Sequence, residues 1–114
     1  MDDYLKHLES IIGTDSLKNL LLDFEHCSLI ILDNLSQSIE SLNKNKIIEY
    51  AHEMKGMCLT IGAEKLAELS LEIEDIARTS TKHELSQNNY IYTVFSDLTD
   101  EIENINDFIK QIIK

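Results

Sequence analysis

The sequence predicts an all-α protein, an antiparallel up-down-up-down four-helix bundle with a short additional N-terminal helix. Three observations lead there. Apolar residues recur at spacings of three and four along most of the chain. There is no proline, and only three glycines occur in 114 residues, whereas a β-rich chain needs turn residues roughly every 8–12 positions. The hydrophobic fraction, 43%, suffices for one buried core at this length without disulfide or metal staples.

The elements follow in order. Leu5, Leu8, Ile11 and Ile12 predict a first helix over about residues 3–12, ended by Gly13. "GTDSL" restarts the chain, with Thr14 or Asp15 as the expected N-cap. Leu17, Leu21, Phe24, Ser28, Ile31, Leu35, Ile39 and Leu42 make one stripe, so the second helix is expected over about 15–42. "SLNKNK" breaks it. The third helix, about 44–60, turns Ile47, Ile48, Ala51, Met54 and Cys58 inward and stops near Gly62. The fourth, about 63–79, uses Leu66, Leu69, Ser70, Ile73, Ile76 and Ala77. "RTSTKHELSQNN" reads as a polar connection. Ile91, Val94, Leu98, Ile102, Ile105, Ile109 and Ile112 then predict a last helix over about 86–113. Long helices joined by short loops favour antiparallel neighbours, and residues 1–114 read as a single domain.

Charge narrows the function. Ten basic residues against 21 acidic ones give a formal charge of −11. Nucleic-acid binding needs a basic patch against phosphates, and none is visible. An anionic membrane surface would repel the chain. No apolar run approaches the roughly 18–20 residues of a spanning helix, and "MDDYLKHLES" is too polar for a signal peptide. Cys27 and Cys58 fall on apolar helical positions and read as reduced core residues, so the expected location is cytoplasmic. His7, His26 and His83 lie apart from one another. "EYAH", residues 49 to 52, carries a Glu-x-x-His, but a di-metal bundle needs a second copy, and no zinc-ligand spacing occurs. No metal site is expected.

One stretch departs from the helical routine. "YAHEMKGMCLTIGAEKL", residues 50 to 66, sets His52 on the flank of the third helix, roughly 100° from the buried stripe. Gly56 follows one turn later on the same flank, at a cost of about 1 kcal/mol relative to alanine. Helical side chains lean toward the N-terminus, so glycine at 56 leaves the ring at 52 accessible. Lys55, at i+3, reaches the space beyond the ring. A neutral imidazole is a competent nucleophile near pH 7, and a lysine beside it would offset the charge of a phosphoryl group.

These residues carry a resemblance. "AHEMKGMCLTIGAEKLAELSLEIEDIAR", residues 51 to 78, resembles the histidine-containing phosphotransfer (HPt) domain, whose pattern is AHxLKGxxxxxGAxxLxxxxxxLExxxR. Ala51, His52, Lys55, Gly56, Gly62, Ala63, Leu66, Glu74 and Arg78 match; Met54 and Ile73 replace leucines. The resemblance implies a four-helix bundle of two-component signalling whose motif histidine takes a phosphoryl group from one receiver-domain aspartate and gives it to another. His52 would be the phosphoacceptor through Nε2. Lys55 would balance the charge, Gly56 would leave clearance for the receiver, and Gly62 with Ala63 would let the third and fourth helices pack closely at their turn. Glu74 stands where some relatives have glutamine. It would either accept from Nδ1–H of His52 or form a solvated i,i+4 pair with Arg78. Leu59 shares the His52 flank; Leu22, Leu29 and Ile30 fall off the second helix's stripe. Each of these would either pack against the first helix or supply an apolar dock. The acidic residues are dense in the last helix, while Lys44, Lys46, Lys55 and Lys65 lie in or near the third, so net charge is a poor guide to the docking face.

The implied partners are response-regulator receiver domains and a sensor kinase, hybrid or not. The chain is expected to be a monomer without a nucleotide motif, so no ATP site of its own, and with no cofactor; magnesium would sit on the receiver. The alternative is a helical adaptor that binds a partner without being phosphorylated.

Overall fold

The computed structural model describes residues 1–113. They form α1 (Asp2–Ile12), α2 (Thr14–Glu40), α3 (Lys44–Thr60), α4 (Glu64–Thr79), α5 (Lys82–Gln87) and α6 (Tyr90–Ile112). The long helices α2, α3, α4 and α6 make a rod with α1 lying against α2, and the described residues together extend over 48 × 20 × 18 Å. Around the rod, α3 packs on α2 and α4, and α6 closes the ring between α4 and α2.

The apolar stripes meet along the rod axis. Leu21, Leu35, Ile47, Met54, Leu66, Ile73, Leu98 and Ile102 are fully enclosed, each contributing about 1.5–3 kcal/mol of burial. One polar rung crosses this core, where Asn106 Nδ2 of α6 donates to Ser28 Oγ of α2 at 3.3 Å. Asn106 was not part of the expected stripe.

Several ends differ from expectation. Ile11, Ile12 and Ile112 are exposed, because each lies at a helix end where no neighbour covers it. Cys27 is half-buried, whereas Cys58 is fully buried; both are free thiols. Neither Thr14 nor Asp15 caps α2. Gly13 holds the N-cap position with φ 88° and no side-chain bond. The last helix begins at Tyr90 rather than near 86, because the polar connection contains a helix of its own. Thr81 Oγ1 accepts from the Glu84 N–H and the Glu84 carboxylate accepts from the Thr81 N–H, a reciprocal cap that starts α5. Leu85 anchors that turn in the core.

Both ends of α3 are fixed by the same kind of turn. After α2, the Asn43 N–H reaches Ser38 O at 2.9 Å and the Leu42 N–H reaches Ile39 O at 3.1 Å. After α3, the Ala63 N–H reaches Cys58 O at 2.8 Å and the Gly62 N–H reaches Leu59 O at 3.2 Å. These paired bonds satisfy the orphan carbonyls of a helix end and require a left-handed residue. Gly62 fills that role with φ 74°, and Leu42 with φ 54°. Asn43 then caps α3, its Oδ1 accepting from the Lys46 N–H at 3.2 Å. The Tyr4 hydroxyl of α1 donates to the Thr60 carbonyl at 3.2 Å, tying α1 to the far end of α3.

Candidate functional site

The site grows from one buried carboxylate. Glu74 sits on the α3-facing side of α4 and keeps only 4% of its surface exposed. A buried charge survives only when paired and hydrogen-bonded. Arg78, one turn on, donates from Nε at 2.9 Å and places Nη2 2.8 Å from the same oxygen, Oε2. The other oxygen, Oε1, faces α3, with His52 Nδ1 at 3.2 Å and Lys55 Nζ at 3.8 Å. Burial pushes the Glu74 carboxyl up. The bonds from Arg78 and His52 and the charge of Lys55 together outweigh it and hold the carboxyl below its ordinary range.

The tautomer of His52 follows. An ionised carboxylate only accepts, so the hydrogen between it and the ring belongs to Nδ1. In the neutral ring Nε2 then carries the lone pair. The ring is 63% exposed, which puts an oriented imidazole at the surface of α3. The two expectations for Glu74 were alternatives, and the fold realises both contacts at once. The pair with Arg78 is not a solvated one, because α3 covers the carboxylate.

Gly56 lies on the exposed face of α3, and a Cβ built there meets nothing within 4 Å. Its carbonyl accepts from Thr60 Oγ1 at 3.0 Å. Leu59 is 52% exposed. Gly62 stands apart, ten residues and roughly 15 Å along the helix from His52. Its close approach is to α1 rather than between α3 and α4, since a Cβ there would stand 2.5 Å from Tyr4 Cδ1. Lys46 and Lys65 are engaged elsewhere, with Glu49 at 3.1 Å and Glu101 at 3.0 Å. Leu22, Leu29 and Ile30 are all exposed, so none of them packs under α1.

Sequence reasoning missed Leu71. It lies on α4, one residue beyond the buried Ser70, and is 40% exposed. It faces Leu59 across a groove of about 320 Å³ between α3 and α4, lined also by Lys55, Ala67, Glu64 and Glu68. The signal was present, since Leu71 falls about 100° off the α4 stripe. Elsewhere, burial pushes the Cys58 thiol up to about 12, leaving no thiolate for chemistry. Among the described residues no three His, Cys, Asp or Glu side chains converge as a metal site. No helix among them is long and apolar enough to cross a membrane.

The Hpt domain family model matches residues 1–108. The fold is similar to the crystal structure of histidine-containing phosphotransfer protein B from Pseudomonas aeruginosa PAO1. The TM-score is 0.87 at 22% identity, covering 99% of this chain and 92% of that one. No curated protein matches the chain. The chain therefore belongs to the Hpt domain family, whose members carry phosphoryl groups on histidine in phosphorelays.

Proposed function

We propose that this protein is a phosphorelay intermediate, accepting a phosphoryl group on His52 from one receiver-domain aspartate and passing it to another receiver. One observation carries the reading: an exposed imidazole whose Nδ1 is bonded to a buried carboxylate, leaving Nε2 free.

The chemistry follows from that bond. The Nε2 lone pair attacks the phosphorus of an aspartyl phosphate. The N–P bond forms as the P–O bond breaks, and the bonding pair leaves with the carboxylate of the donor. The ring becomes a phosphoimidazolium that keeps its Nδ1–H on Glu74, so no proton need leave. Glu74 stabilises the positive charge as it develops, while Lys55 lies near enough to offset the phosphoryl oxygens. In the return step an aspartate oxygen attacks phosphorus and the N–P pair returns to Nε2. Gly56 gives the incoming domain clearance beside the ring. Magnesium and the remaining acid groups are the receiver's contribution, and the bundle needs no cofactor or ATP site of its own.

The test is incubation with receiver domains phosphorylated on aspartate. The expected product is an acid-labile, base-stable phosphate on this chain, absent in His52→Gln. Labelling of His52→Gln at the wild-type rate would overturn the assignment. Unchanged partner binding and signalling by that variant would favour the adaptor reading instead.

A further inference from the structure

We infer that the outward face of α2 pairs two copies of this chain, antiparallel about a twofold axis, with Leu22 on Leu29 and Lys18 on Asp33 of the second copy. This replaces the monomer expected from the sequence and does not depend on the phosphotransfer reading.

Leu22, Leu29 and Ile30 are exposed on α2. At 100° per residue Leu22 and Leu29 point within about 20° of each other. They lie roughly 140–160° around the helix from Cys27, which lines a cavity with Met57 of α3. The two leucines therefore face away from α3 and from His52. Lys18 and Asp33 continue the same stripe in opposite directions, each within about 40° of both leucines, and both are exposed.

The order Lys18, Leu22, Leu29, Asp33 has spacings of four, seven and four residues. The spacing is the same read from either end, and the two ends carry opposite charge. Such a stripe complements a copy of itself only when the copy is reversed. Laid antiparallel, each leucine meets a leucine and each end meets its opposite charge, over about 22 Å of helix. Parallel pairing would set Lys18 on Lys18 and Asp33 on Asp33. Beside the axis, His26 falls opposite Glu25 of the second copy. Lys18 is available for the contact, since among the described residues no carboxylate lies within 4.0 Å of it. Asp33 accepts from Gln37 Nε2 through Oδ2 at 3.0 Å, which leaves Oδ1 for the lysine. The outer side of α6 offers no comparable match, because exposed Asp97, Asp100, Glu103 and Asp107 would repel a copy. A contact along one helix is small, so the pair is a weak one. It leaves both His52 rings open.

The experiment is sedimentation equilibrium of the full chain from about 5 µM to about 1 mM, a range suited to a small interface. Wild type should move from the one-chain mass toward the two-chain mass. Leu29→Glu should raise the dissociation constant at least ~10-fold. Lys18→Asp, which opposes two carboxylates at each end, should do the same, and Lys18→Asp combined with Asp33→Lys should return it to within about twofold of wild type. All these positions are exposed, and unchanged helicity by circular dichroism verifies the fold. One-chain mass for wild type at the highest concentration overturns the proposal. Dimerisation untouched by Leu29→Glu puts the contact on another face and overturns it as well. Failure of the double exchange to restore the dimer overturns the antiparallel register. A monomeric wild type whose receiver-dependent transfer slows in Leu29→Glu gives the face to a receiver instead of a second copy.

Discussion

Gly56 and Gly62 lie on one helix and its closing turn, yet they are glycine for opposite reasons. Gly62 is demanded from within. Its φ of 74° closes α3, and Tyr4 occupies the space a side chain would need. Gly56 is demanded by nothing inside the chain. Its backbone is helical, and no atom stands within 4 Å of where a Cβ would go. A residue that weakens a helix by about 1 kcal/mol without an internal reason fits the proposed function, in which a partner must come close. One glycine serves the fold, and on the proposed reading the other serves the encounter.

The largest expected effect comes from filling the outward position. Gly56→Leu should lower receiver-dependent phosphotransfer at least ~100-fold, since small misplacements at a reacting centre cost this much, while urea denaturation shows no loss of stability. A variant that transfers normally would erase the contrast between the two glycines. Gly62→Ala should cost about 2 kcal/mol in the same denaturation experiment, from left-handed strain and displacement of Tyr4. Adding Tyr4→Ala removes the ring clash and leaves the left-handed strain with a 3.1 Å contact to the remaining Cβ, together about 1 kcal/mol.

Next in size is Glu74→Gln, which should slow transfer about 10-fold, near the low end for a positioning or charge effect on a reacting imidazole. It also removes a pH dependence. The native Glu74 carboxyl sits below the ordinary glutamate value of 4.5. Between those two values the unfolded chain binds more protons than the folded one, so stability rises with pH there. The contribution is complete above about pH 4.5 and fades as pH falls through the native value. Denaturation at pH 7, 4.5 and 3 should therefore show wild type losing more stability on acidification than Glu74→Gln. Smaller still, Gly56→Ala should stabilise the protein by up to about 1 kcal/mol. Smallest is Leu42→Gly, at the other end of α3. Relief of the strain at φ 54° and loss of partial packing oppose each other, leaving a change within about 0.5 kcal/mol.

Much of this was legible in the residues. The bundle helices follow from apolar spacing, because burial dominates long amphipathic segments. His52, Lys55 and Gly56 stood out because they break that routine. What stayed hidden depends on neighbours distant in sequence. Glu74 reads as a surface partner of Arg78 until α3 is laid over it. Leu42 reads as the end of a stripe, since nothing in a leucine announces a left-handed backbone. The exposure of Ile11 and Ile112 reflects only where the rod stops. The helix α5 was readable in principle: Thr81 and Glu84 have the spacing of a reciprocal cap, obscured by the polar residues around them. Asn106 hid because its partner Ser28 is 78 positions away.

The double closure of α3 has a bearing on speed. A rod pinned by left-handed turns at both ends, and strapped to α1 by Tyr4, has little freedom to rock or fray. On the proposed reading an arriving domain meets a target already in its reactive pose, so little conformational entropy is lost at the encounter. Contact can therefore be brief and weak, which suits a carrier that must let go of one partner before it greets the next.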